Sequence, residues 1–171
     1  MADPRYPVGE FETPAEVTPA QRKQYIAEIA ALPRNLREAV AGLTDTQLDA
    51  PYRAGGWTIR QLVHHVADSH VNSYIRFKLA LTENEPTIKP YDEKRWAELP
   101  EARSAPVDIS LDLLEALHRR WVMMLEHMSD ADFERTYHHP EIGAVRLGSA
   151  VASYAWHCRH HVAHILTARR P

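Results

Sequence analysis

The chain has 171 residues and a mass of 19.5 kDa, a size that fits one domain. Hydrophobic residues make up 44% and charged residues 25%, which excludes a collagenous or largely disordered chain. A net charge of −3 argues against a protein that grips nucleic acid with a basic face, and a single cysteine, Cys158, excludes an intramolecular disulfide and any CxxC motif.

In chain order, residues 1–17 hold three prolines, one glycine and no helical period, and read as an extended arm. The same segment puts acid and prolines where a signal peptide needs an apolar core. No apolar run approaches the ~20 residues of a membrane span, so no membrane partner is expected and a cytoplasmic location is. Thr18-Pro19-Ala20-Gln21 opens a first helix with a capping box and a proline at the first helical position. Ile26, Ile29, Leu32, Leu36, Val40 and Leu43 follow at helical spacing, with Pro33 inside the run. Residues 44–56 read as a loop with one short turn of helix, ending in Gly55-Gly56. Thr58 and Gln61 form a second capping box, and the second helix runs to Leu81 or Thr82.

Pro86, Pro90, Pro100 and Pro106 mark a long connection, with one helical turn expected around Tyr91–Leu99. Leu111, Leu114, Leu117, Trp121, Met124 and Met128 set the period of a third helix. Residues 136–147 read as a small hairpin, and a last helix starts at Ser149. The expected spans are 18–43, 58–82, 110–128 and 149–169. Together they predict an all-α fold, an antiparallel four-helix bundle in one domain over 1–171.

Eleven histidines are unusually many, and they cluster. The last helix carries two i,i+4 pairs, His157/His161 and His160/His164. That spacing stacks two imidazoles on one face, where they can share a metal ion. A helical wheel places His157 and His161 at the edge of the apolar face and turns His164 and His160 toward solvent. A catalytic metal site needs a third protein ligand, and the second helix offers His64, His65 and His70. In an antiparallel pair His65 and His161 lie at matching levels, each about 10 Å from its helix end. The wheel, however, centres His70 on the apolar face. The residues alone leave His65 and His70 as rivals.

Asp68 lies one turn from His64 and His65 and could orient an imidazole, although an ordinary helical acid is the simpler reading. Asn72 and Arg76 could meet a polar substrate or face solvent. Cys158 points toward the apolar face and reads as an inert buried thiol. His118 and His127 read as isolated on the third helix, and His138 and His139 as hairpin residues.

The stretch from Pro51 through Trp57, His64-His65 and Asp68 to His70 resembles the YfiT-like branch of the DinB-like superfamily. Asn72-Ser73-Tyr74-Ile75-Arg76-Phe77-Lys78, Tyr154-Ala155-Trp156-His157 and His160-His161-Val162-Ala163-His164-Ile165 continue the resemblance, which begins at Tyr6-Pro7-Val8-Gly9 and covers nearly the whole chain. The resemblance implies a four-helix bundle with a divalent metal on three histidines, which fall on His65, His157 and His161. It decides for His65 against His70. It also implies a homodimer and a metal-dependent hydrolase of a small molecule.

A three-imidazole site leaves a position for water, whose pKa an ion can lower toward ~7. Zinc is the first expectation, with nickel and manganese as alternatives that imidazole also suits. Two other readings use the same parts. One is a thiol S-transferase that activates a low-molecular-weight thiol. The other is a non-catalytic metal- or ligand-binding stress module. No catalytic residue beyond the ligands and no organic cofactor site is legible.

Overall fold

A hydrophobic stripe marks each of four long helices, two of them with a capping box at the start, and the structure forms all four. The computed structural model describes residues 3–169. Its elements are α1 (Pro19–Val40), α2 (Asp45–Leu48), α3 (Ile59–Thr82), α4 (Glu93–Trp96), α5 (Pro100–Ser104), α6 (Val107–His127), α7 (Asp130–Glu134), β1 (Thr136–His139), β2 (Gly143–Arg146) and α8 (Leu147–Ala168). The starts of α1, α2 and α3 use one device. Thr18, Thr44 and Thr58 each accept from the backbone amide of the glutamine three residues on, whose side chain returns to the cap. Each such cap contributes about 1 kcal/mol.

α5 and α7 were not expected from the periodicity. Both are too short to show one. The hairpin is antiparallel, with Tyr137 opposite Val145 and His139 opposite Gly143, whose φ of 82° suits a residue without a Cβ.

Ile29, Leu36, Leu62, Leu114, Leu147 and Ile165 lie fully buried in one apolar cluster shared by the four long helices. α1 and α3 sit on opposite corners of the bundle, each packed between α6 and α8. Contacts fix the directions. Glu28 meets Arg159, and the carbonyl of Ala39 accepts from Arg169, so α1 and α8 run parallel. His64 meets Ser110 and His70 meets His118, so α3 and α6 also run parallel. α1 opposes α6, with Arg37 on Asp112 and Arg22 on Asp130. α3 opposes α8, with Ser69 at Tyr154 and His65 at His161.

Antiparallel packing thus holds for two of these neighbouring pairs, and the order is up-down-down-up. The long connection between α3 and α6 explains it. The chain must climb back along α3 before α6 descends, as in bundles with one crossover. The climb is anchored where it ends: Gln61 Nε2 donates to the Ala97 carbonyl at 2.7 Å, and Arg60 Nη1 donates to the Ala105 carbonyl at 3.1 Å. Arg60 is buried and also pairs with Asp45 and Asp49. These contacts tie α2 and the connection to the first turn of α3. Among the described residues no helix is long and apolar enough to cross a membrane.

Of the arm expected over 1–17, residues 1–2 lie outside the described residues. From residue 3 to residue 17 the chain forms neither helix nor strand. It lies against α8: the Gly9 carbonyl accepts from Trp156 Nε1 at 3.0 Å, and Phe11 packs on the same indole.

Candidate metal centre

The antiparallel contact of α3 with α8 brings His65, His157 and His161 together. One ligand nitrogen from each lies within 4.8 Å of the others. His157 Nε2 and His161 Nε2 are 3.1 Å apart. Two nitrogens on one tetrahedral ion with ~2.05 Å bonds stand about 3.3 Å apart, so the pair has the right spacing. His161 Nδ1 is buried and has no hydrogen-bond partner. The His65 ring packs 4.7 Å from the Trp57 ring, which the Gly55-Gly56 turn delivers to the start of α3. Gly56 has no room for a side chain, since a Cβ there would stand 2.8 Å from Arg53 Cγ and 3.2 Å from the Tyr52 ring.

Burial pushes the His65 imidazole down to about 4. Burial, with neighbouring imidazoles adding to it, also lowers His157 and His161 well below the ordinary histidine value. All three rings are therefore neutral near pH 7, the state in which imidazole binds a metal. Among the described residues no thiol, carboxylate or further imidazole joins this group of three. The centre opens on a cleft of about 790 Å³, a size typical of small-molecule sites. Tyr6, Tyr52 and Trp57 line it, as do charges of both signs, including Arg53, Lys94, Glu93 and Glu98.

The other residues singled out in the sequence take different roles. His64 donates from Nε2 to the Ala105 carbonyl at 3.1 Å and accepts at Nδ1 from the Ser110 hydroxyl at 2.7 Å. It anchors the end of the connection. His70 is not in the group of three. Its Nε2 meets Nδ1 of His157 at 3.0 Å, behind the ligand face. Asp68 is half-buried, and burial raises its carboxyl to about 6. It makes no side-chain hydrogen bond to an imidazole among the described residues. Asn72 turns back to the Asp68 carbonyl. Arg76 faces a second cavity of about 640 Å³ beside Tyr137 and His139, which also reaches His157. The Cys158 thiol is buried, and burial pushes it above the usual thiol range.

Two expectations need correction. His160 and His164 do not face solvent; they are 7% and 3% exposed. A wheel counts only a helix's own apolar residues, and the N-terminal arm covers this face. His164 Nε2 donates to the Arg5 carbonyl at 3.2 Å, Tyr6 lies beside His160, and Trp156 stacks on His160 with 4.2 Å between ring centres. His160, His161 and His164 thus form a second close group that shares His161. His164 Nε2 carries its hydrogen toward Arg5 and offers that group no lone pair there. The second correction concerns His118. It is 2% exposed, and its Nε2 meets Nδ1 of His70 at 2.9 Å while its Nδ1 meets the Ile29 carbonyl at 2.7 Å. The signal was Pro33, which the sequence shows inside the first helix. A proline inside a helix leaves the carbonyl four residues before it without its helical donor, and a buried donor from elsewhere must face it.

Comparisons with known proteins place the chain in a family and a fold. The family model described as the DinB superfamily matches residues 28–165. A Bacillus cereus (strain 03BB102) protein named "Putative metal-dependent hydrolase" is 54% identical over 170 residues, covering 99% of this chain and 98% of the relative. A Bacillus mycoides (strain KBAB4) protein of the same description is 54% identical over 169 residues, covering 99% and 97%. The solved structure of YfiT from Bacillus subtilis superposes with a TM-score of 0.95 at 46% identity, covering 98% of this chain and 96% of that one. YfiT is described as a probable metal-dependent hydrolase with an unusual four-helix bundle topology. TT2238, a four-helix bundle protein, superposes at a TM-score of 0.55 and 20% identity over 82% of this chain and 94% of its own, a likeness of fold.

Proposed function

The chain belongs to the DinB superfamily, and from that premise we propose that it is a metal-dependent hydrolase of a small polar molecule. His65, His157 and His161 hold the divalent ion, and zinc suits them first. The observation that carries this reading is the set of three neutral imidazoles from two helices, with two Nε2 atoms 3.1 Å apart, at the wall of an open cleft. A group of three that opens on a cleft has room for water and substrate, whereas a purely structural zinc site usually closes with a fourth protein ligand. The names of the relatives and of YfiT point the same way.

A bound ion of this kind would supply Lewis acidity and would lower the pKa of water at the centre toward about 7. The chain's own groups do the rest. His65, His157 and His161 stay uncharged and hold their lone pairs inward. Trp57 covers one side of His65 and shields it from bulk water. Arg53, Lys94, Glu93 and Glu98 around the cleft give a substrate both cationic and anionic partners for its orientation.

The test begins with elemental analysis of the purified protein, followed by a screen of ester, amide and thiol-conjugation substrates with and without chelator. Hydrolysis should disappear with the metal and return on adding zinc, and oxygen from labelled water should enter the product. Turnover that survives complete metal removal overturns the reading. A metal-dependent product that contains a thiol and no labelled oxygen assigns the centre to thiol transfer instead.

A further inference from the structure

We propose that Pro33, His118 and His70 act together to set the tautomer of His157, so that its Nε2 lone pair is aimed at the metal centre. The inference rests on the metal-binding reading for the ion and on the packing of the four long helices for its geometry.

The chain of reasoning starts in α1. Proline has no N–H, so residue 33 cannot donate to the carbonyl of Ile29 as an α-helix requires. Ile29 is 0% exposed, so its carbonyl needs a donor from another buried group. His118 on α6 meets that carbonyl with Nδ1 at 2.7 Å. A carbonyl oxygen only accepts, so His118 Nδ1 carries the hydrogen. A neutral imidazole has one N–H, and His118 Nε2 is therefore an acceptor.

Its partner at 2.9 Å is Nδ1 of His70 on α3, which must donate. His70 Nε2 is then an acceptor in its turn. Its partner at 3.0 Å is Nδ1 of His157 on α8, which must also donate. Only the Nε2 lone pair of His157 remains, and Nε2 is the atom that stands 3.1 Å from His161 Nε2. Reversing any one link would set two hydrogens or two lone pairs face to face at these distances. The direction of the whole relay thus follows from a group at its far end that has only one role.

The surroundings bury the relay and bring no counter-charge to it. Among the described residues no carboxylate makes an ion pair with any of the three rings. His70 and His118 are 0% and 2% exposed. The edges of Trp121 and Tyr154 close on His70, with ring centres 5.7 and 5.0 Å away. Burial lowers the His118 imidazole to about 4. A metal-bound histidine commonly donates its second nitrogen to a carboxylate or carbonyl, which fixes ring and tautomer. Here the carbonyl is two rings away, and His70 and His118 are positioning residues that carry its effect across the core.

The test reads tautomers directly. Long-range proton–nitrogen correlation spectra of the metal-free wild-type protein at neutral pH should show His157, His70 and His118 all protonated at Nδ1. An Nε2–H tautomer at any of the three overturns the relay. His70→Leu removes the acceptor for His157 Nδ1 and should weaken zinc binding by about 10- to 100-fold. His70→Gln keeps a donor toward His118 and an acceptor toward His157 and should recover most of that loss. Equal zinc affinity in folded Leu and Gln variants would overturn the positioning role. If the Leu variant does not fold, the wild-type spectra decide. A wild-type protein that binds no zinc defeats the metal reading, and the spectra of the metal-free protein still judge the relay separately.

Discussion

The last helix presents the same spacing twice, and the two pairs behave differently. His157 and His161 stand between the bundle core and the cleft, with His157 backed by His70 and facing His161 through Nε2. His160 and His164 line the same cleft on the side where the N-terminal arm packs, and His164 commits its Nε2–H to the Arg5 carbonyl. An i,i+4 pair is a geometric offer. What stands behind each ring decides whether the offered nitrogen carries a lone pair or a hydrogen. On the core side, His70 stands behind His157 and leaves the Nε2 face of that ring turned to His161. His160 and His164 each have a buried Nδ1 that no group meets, as His161 does, so the contrast lies in the ring behind His157 and in the bond of His164 to the arm.

The largest test of this contrast is deletion of the proposed ligands. His65→Ala or His157→Ala should abolish stoichiometric metal binding, while His160→Ala and His164→Ala should leave it at or near the wild-type ratio. Elemental analysis on folded protein measures this, and equal loss across the four variants would break the distinction.

The next effect is acid sensitivity, which the core side should dominate. His118 titrates at about 4 in the folded protein because it is buried, against about 6.5 in an unfolded chain. Between those values the unfolded state binds the extra proton. Stability is therefore complete above about pH 6.5 and falls as pH drops toward the folded value, by about 3 kcal/mol for this one ring. His70 shifts in the same direction. Denaturant titrations of the metal-free protein across this range should show the loss, and a His118→Leu variant that stays folded should show less of it. A pH-independent midpoint would contradict the assignment.

A smaller effect is expected from the arm. Removing residues 1–10 takes away Arg5, Tyr6 and Gly9, and with them the cover of the second pair. Histidine titrations by NMR should then move His160 up from its buried value of about 4 toward that of free imidazole. Metal stoichiometry should not change. An arm-deleted protein that loses its metal would show that the two pairs are not independent.

The smallest effect concerns the fold itself. Chelation at neutral pH should lower the thermal midpoint and leave the helical circular dichroism intact, because the apolar cluster spans all four helices without a metal at its centre. Complete unfolding on chelation would place the centre among the elements that hold the bundle together.

Much of this molecule was legible in its sequence. The spans expected for the four long helices differ from the observed ends by up to three residues, because periodicity and caps are local signals. Thr18 and Thr58 begin their helices as their glutamine partners indicated. The hairpin and the turn within the long connection were readable for the same reason. On the last helix the wheel selected the pair that faces His65. The residues alone could not choose between His65 and His70. Both lie on the inner side of α3, and the choice depends on which ring reaches across to α8 beside the cleft and which lies behind it.

His118 marks the limit more sharply. It was read as isolated because nothing near it in sequence is a histidine, yet its partners lie 48 and 89 residues away. The burial of His160 and His164 was hidden likewise, since an extended arm has no period to announce where it packs. The sequence by itself determined what its nearest-neighbour physics controls: helix spans, caps, apolar stripes and the stacked imidazoles. Only the tertiary structure decided the up-down-down-up order, the cover over the second pair and the line of rings from Pro33 to His157. Each of these depends on groups from distant segments that become neighbours only when the four helices share one core.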